Sequence, residues 1–212
     1  MRILVTGANR GIGAALCTEL STRGNTVTGT ARNAPGLAPL DVTDPASISA
    51  LARGIDAPLD ALICNAGVFL DMAQDIDGYP QQMWADSFAV NVTGVFLTVQ
   101  AMLPHLRRSG TAKIMIISSQ MASDEQAPGG CYIYRASKAA ALNLGRNLSS
   151  DLKSQGISVG IYHPGWVQTD MGGASAEITA AQSATGLADR LEALSLQNTG
   201  CFETWDGQAL PT

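Results

Sequence analysis

The chain has 212 residues, 46% of them hydrophobic and 15% charged, a balance that excludes general disorder and leaves enough chain for one domain, 1–212, with a sizeable core. A net charge of −5 lacks the basic footprint of a nucleic-acid partner, and no apolar run approaches the roughly 20 residues of a membrane span. Cys17, Cys64, Cys131 and Cys201 are scattered without metal-ligand spacing, so the expectation is reduced thiols in a cytoplasmic protein and no metal site.

In chain order, Arg2-Ile3-Leu4-Val5-Thr6 is a short apolar run that predicts a buried parallel strand. A strand beginning at residue 2 leaves no room for a signal peptide. Gly7-Ala8-Asn9-Arg10-Gly11-Ile12-Gly13 follows at once, then a helical pattern with Ile12, Leu16 and Leu20 on one face. Strand, glycine-rich turn and helix form the context of a dinucleotide fingerprint: glycines permit the tight turn, and pyrophosphate sits at the positive helix terminus. The spacing here is Gly-x-x-x-Gly-x-Gly. Further strands are predicted near 25–31, 37–40, 59–64, 112–118, 157–162 and 200–205, and helices near 11–23, 45–53, 81–90, 92–108, 132–155 and 180–195. This alternation predicts an α/β, Rossmann-type doubly wound parallel sheet of about seven strands with helices on both faces. Between the second strand and Asp41 there is room only for a turn around Pro35-Gly36, which opens that end of the site.

Tyr134-Arg135-Ala136-Ser137-Lys138 carries the chemistry. A Tyr and a Lys four apart on a helix share a face, and the ammonium can lower a phenol pKa that is about 10 when unperturbed. That makes an acid/base usable near neutral pH. Tyr132 lies six residues before Lys138, on another face, and is expected to pack or to border the pocket. His105, following Pro104 in a helix with Arg107 and Arg108, reads as exposed, and His163 as holding a structural hydrogen bond.

Taken together, these motifs resemble the short-chain dehydrogenase/reductase family over nearly the whole chain, in the family's order, and most of all its small C-factor/sniffer-like carbonyl reductase branch. Thr6 to Gly13 resembles the cofactor turn, and Asp41-Val42 the pair that contacts adenine. Cys64-Asn65-Ala66-Gly67 is similar to the Asn-Asn-Ala-Gly motif, with Cys in the first place. Pro164-Gly165-Trp166-Val167-Gln168-Thr169-Asp170-Met171 resembles the segment touching the nicotinamide. The resemblance implies strand order 3-2-1-4-5-6-7. It also implies a catalytic Asn91 that positions a water, a catalytic Ser, and Tyr134 and Lys138 as the remaining members, with Lys138 also holding the nicotinamide ribose. Ser118 and Ser119 compete for the serine role; alignment of the strand end favours Ser119, and only one of two neighbours should face the site.

Cofactor preference follows from charge. An NAD site places an acid about 20 positions after the glycine turn, an NADP site an Arg. Here the window reads Thr30-Ala31-Arg32-Asn33, which favours NADP(H) over NAD(H), with Arg10 as a second charge for the phosphate. The expected activity is NADPH-dependent reduction of a small or medium aldehyde, ketone or quinone. The alternatives are an NAD-dependent alcohol dehydrogenase and a nucleotide-binding signalling protein of C-factor type. Phe69, Met72, Met121, Trp166 and Met171 suggest an apolar substrate pocket, and Asp71, Asp75, Asp77, Asp124 and Glu125 are expected near its rim. In the family that this chain resembles, the helices starting near Asn91 and Tyr132 carry the interface of dimers and tetramers; here they read apolar along one side (Val95, Val99, Met102, Ala139, Leu142, Arg146), and the resemblance implies a homodimer or homotetramer with two-fold symmetry.

Overall fold

The computed structural model describes residues 1–211. Its strands are β1 (Arg2–Val5), β2 (Thr26–Ala31), β3 (Ala38–Pro39), β4 (Ala61–Cys64), β5 (Lys113–Ile117), β6 (Ser158–His163) and β7 (Phe202–Thr204). Its helices are α1 (Gly11–Thr22), α2 (Pro45–Arg53), α3 (Gln81–Phe88), α4 (Gly94–Arg107), α5 (Tyr132–Lys153) and α6 (Ala180–Ala193). The strands form one sheet in the order β3-β2-β1-β4-β5-β6-β7, every pair parallel. The order reverses between β1 and β4, and the crevice at the carboxyl ends there is where such sheets bind ligands.

Side-chain alternation along the strands feeds both faces. Leu4, Leu62, Ile114, Ile116 and Val159 pack under α4 and α5 against Val99, Met102, Leu106 and Leu152. Ile3, Val5, Ile63, Met115 and Tyr162 pack on the other face against Leu16 and Leu20 of α1 and Leu187 and Leu191 of α6. The strands are therefore buried on both sides, as their near-continuous apolar runs require. Between β2 and β3 the chain makes a turn and no helix, Leu37 N–H bonding Ala34 O at 3.3 Å, as the short span before Asp41 predicts.

Two expectations need correction. The sequence reading separates two helices near residue 91, whereas α3 runs into α4 through a π-helical turn, Ala89–Thr93. The continuous run Gln81–Arg107 contains an 18-residue window of mean hydropathy 1.4 and is long and apolar enough to cross a membrane by length and composition, contrary to the reading that no such run exists. Its apolar side is spent in the core: Val95, Val99, Met102 and Leu106 are buried there. The same burial removes most of the side proposed for self-association, since Leu142 is also buried; of the residues named, Arg146 is exposed and Ala139 half-buried.

Candidate active site

The loops after β1 and β4 are locked together. Asn65 and Ala66 each donate a backbone N–H to Thr6 Oγ1 at 3.0 Å, and the Asn65 amide donates to Thr6 O at 2.9 Å and to Gly7 O at 3.0 Å. Gly7 stands at φ +67, and a Cβ on Gly13 would lie 2.2 Å from Gly7 O, so α1 can start this close to the turn only with glycine there. Arg10 caps α1 without a side-chain hydrogen bond, and the first turn holds no acid. Its N–H groups therefore remain available to an anion.

A cleft of about 1160 Å³ opens over these loops. Gly7, Asn9, Arg10, Gly11, Ile12, Gly13, Arg32, Asp41, Asn65, Ala66, Gly67, Tyr134, Lys138, Pro164 and Thr169 line it, with Val42 beside Asp41. Gly165 and Val167 do not. Gly165 packs on Ile178 and Trp205, and Val167 is buried and bridged to Ile178, so both shape the segment from behind. Met171, expected in the substrate pocket, is on the wall, and so is Asp170, which the sequence reading left without a role of its own. Arg10, expected to face a phosphate, is instead paired with Asp170 across the cleft. Arg32 is exposed at the end of β2. Asp41 accepts from Thr43 Oγ1 at 2.7 Å and Thr43 N–H at 2.9 Å; these bonds, helped by the charge of Arg32, hold its carboxyl below the usual range.

Tyr134 and Lys138 lie one turn apart on α5, both buried. Burial pushes the phenol up to about 12, the Ser119 hydroxyl opposes this, and the charge of Asp71, joined by Cys131 once that thiol ionises, adds to it. Lys138 Nζ sits 5.6 Å from the Tyr134 ring centroid and donates to Ile117 O at 3.0 Å; burial brings it down to about 8. The expectation that Lys138 lowers the phenol pKa is not met: the phenol is raised, with desolvation the largest cause and Lys138 not among the contributors. The serines separate by partner. Ser118 Oγ donates to Lys138 O at 3.0 Å and is committed to the main chain. The Ser119 hydroxyl acts on the phenol to lower it and accepts from Met121 N–H at 3.1 Å; of the two serines, Ser118 is the one that lines the cleft.

Asn91 lies behind the wall, 1% exposed. Its amide accepts from Val68 N–H and donates to Val68 O, both at 2.9 Å, and donates to Ser137 Oγ at 3.0 Å. It braces the loop after β4 against α5. Next along that loop, Phe69 stacks on Tyr134 at 4.0 Å between centroids. Tyr132 is exposed and meets Tyr79 edge-on, as the helix-face argument predicts. His163 is buried and held down to about 4, so it is neutral at neutral pH. Asp71, expected near the rim, is buried; its carboxylate meets the start of α5. No periodicity or motif in the sequence announces that role.

The model of the short chain dehydrogenase family matches residues 1–179. The chain is 37% identical over 157 residues to the C-signal of Myxococcus xanthus, covering 73% of this chain and 93% of that one. Among solved structures it is similar to the NADPH-bound carbonyl reductase from chicken fatty liver, at TM-score 0.92 and 33% identity over 100% of this chain and 98% of the other. It is also similar to the carbonyl reductase Sniffer of D. melanogaster, at TM-score 0.94 and 28% identity over 100% and 99%. With the fold, the glycine turn and the Tyr134–Lys138 pair in place, these similarities show that the chain belongs to the short-chain dehydrogenase/reductase family of oxidoreductases.

Proposed function

We propose that this oxidoreductase uses NADPH to reduce a small or medium carbonyl compound (an aldehyde, ketone or quinone), with Tyr134 as general acid. The observation that carries the reading is a single cleft lined both by buried Tyr134 and Lys138 and by Arg32, which follows β2 where that strand ends without an acid. The residues fit a dinucleotide: a side chain on Gly13 would fill the turn, and the uncapped first turn of α1 offers N–H groups to a pyrophosphate. Arg32 would hold the 2′-phosphate, and Lys138 the nicotinamide ribose.

NADPH supplies the hydride. The chain supplies the proton and the field. With its phenol at about 12, Tyr134 is protonated at neutral pH and donates to the carbonyl oxygen. Ser119, whose hydroxyl acts on that phenol, would stabilise the charge developing on the same oxygen. Lys138, at about 8, is charged at neutral pH and favours the phenolate left behind. Asn91 has its amide committed to Val68 and Ser137, so a water relay through it would use the second lone pair of its carbonyl. Cytoplasmic residence agrees with four free thiols. Two-fold self-association would use the outer faces of α4 and α5, where Phe96 and Arg146 are exposed.

Similarity to C-signal favours a second reading, a nucleotide-binding signalling protein; the assembled acid/base group weighs against it. Titrating NADPH and NADH into purified protein, then screening carbonyl compounds, tests the proposal. Tighter NADPH binding with turnover supports it. Equal or tighter NADH binding removes the cofactor assignment, and binding without turnover across the screen favours the signalling reading.

A further inference from the structure

Helix α5 starts in an unusual way. An N-cap residue is ordinarily extended, with a side-chain oxygen accepting from the second or third N–H of the helix. Here Cys131 holds that place in the left-handed region, φ 48 and ψ 41, and its side chain makes no cap bond. The missing acceptor comes from elsewhere in the chain. Asp71 Oδ2 accepts from Ile133 N–H at 2.8 Å, and both its oxygens accept from Tyr134 N–H, at 3.2 and 3.4 Å. Asp71 is 1% exposed, so these bonds form out of water, against the positive end of the helix.

We propose that Asp71 is a positioning residue of the active site, a helix cap supplied in trans that fixes the main chain of Tyr134 and seats the loop carrying Phe69 on the phenol. The inference rests on the reading of Tyr134 as the acid. The loop is pinned twice, at Val68 by both bonds of Asn91 and at Asp71 by α5. Phe69, between the pins, is pressed onto the Tyr134 ring at an interplanar angle of 16°. One carboxylate therefore sets both the backbone of the acid and the surface against its ring.

Asp71 also acts through charge. The groups facing the phenol are Asp71 from the loop, Cys131 before α5, Ser119 from the end of β5 and Lys138 one turn along α5; Tyr79 and Tyr132 stand outside them, beside Asp71 and Cys131. Asp71 favours the protonated phenol, and Ser119 opposes it. Asp71 thus helps keep the proton on Tyr134 until the substrate takes it.

Asp71→Asn keeps an acceptor oxygen and removes the charge; Asp71→Ala removes both. Two readouts decide. Hydrogen exchange at the Ile133 and Tyr134 amides should stay slow in Asp71→Asn and speed up at least tenfold in Asp71→Ala. In the pH profile of kcat/KM for carbonyl reduction, the limb belonging to the acid should move to lower pH in Asp71→Asn, the direction set by removing one negative charge that disfavours the phenolate. Asp71→Ala should lose about 10²-fold in kcat, the cost of a small misplacement at the reacting centre, with KM for NADPH little changed. Unchanged amide exchange in Asp71→Ala, or an unmoved profile in Asp71→Asn, overturns the proposal. If the native protein reduces no carbonyl compound, the functional reading falls on its own, and amide exchange still decides whether Asp71 fixes Tyr134.

Discussion

Lys138 is a charge held in the core, and its cost can be measured. Its ammonium titrates near 8 in the folded protein against 10.5 for the ordinary side chain, with burial as the cause. Each pH unit of that displacement is worth 1.36 kcal/mol, so keeping the proton costs roughly 3 kcal/mol of stability at pH 7. Below about pH 8 both folded and unfolded chains carry the proton, and the penalty is present in full. Between about 8 and 10.5 the folded chain has released it and the unfolded chain has not, so the penalty is relieved as pH rises through that window. Lys138→Met cannot show this relief. The variant also loses the bond to Ile117 O, worth about 1–3 kcal/mol if the carbonyl is left unpaired, so the two proteins should be of similar stability at pH 7. Urea denaturation of the cofactor-free proteins, followed by tryptophan emission from pH 7 to 10, isolates the effect, because other groups titrating in that range are common to both. The native protein should gain roughly 2 kcal/mol on Lys138→Met by pH 10. A difference that stays flat between pH 8 and 10 means that Lys138 is solvated, and the electrostatic account of the site fails with it.

Other expected outcomes bear on chemistry and cofactor. Tyr134→Phe should keep fold and NADPH binding while turnover drops by about 10²–10⁴-fold or more, whereas Tyr132→Phe keeps most activity; steady-state rates with the reverse order would refute the helix-face argument. Arg32→Asp should weaken NADPH binding by about tenfold to a hundredfold, the range of one lost charge-assisted bond, and leave NADH nearly unaffected; calorimetry showing equal losses would sink the 2′-phosphate assignment. Alcohol oxidation needs the phenolate, which a phenol at about 12 disfavours, so its rate should climb with pH from 7 to 10 while reduction does not. A reduction rate that climbs over the same range contradicts Tyr134 as the proton donor.

What could be read ahead was periodic or carried in short motifs. The β1–turn–α1 unit announces itself because apolar runs, glycine spacing and helix pattern coincide within residues 2–20. Tyr134 and Lys138 are legible because four residues make one helical turn, and the same arithmetic places Tyr132 outside. What escaped depends on partners distant in sequence. Nothing local distinguishes Asp71, which bonds residues 62 and 63 positions away, from exposed Asp75 and Asp77 on the same loop. Arg10 reads as a free cation until Asp170 is seen across the cleft. The direction of the Tyr134 shift also escaped, because a sequence shows which charges are near but not how much water has been removed.

The places where this chain departs from local preference converge on one wall. Asn91 sits on a π-helical turn, a widening that recurs at functional sites. Cys131 is the one non-glycine residue at positive φ among the described residues, a conformation that costs energy and persists only when its surroundings hold it. Lys138 is a charge kept out of water. These positions are scattered over 48 residues, yet contacts join them: Asn91 to Ser137, next to Lys138, and Asp71 to the helix that Cys131 begins. Elsewhere local signals and packing agree, as in α6, whose capping box of Thr179 and Gln182 precedes a well-buried apolar face. A fold that follows its local rules along its helices and breaks three of them around one phenol has spent stability at a specific place. That argument for Tyr134 as the reacting centre uses no relative, and it is independent of the similarities that establish the family.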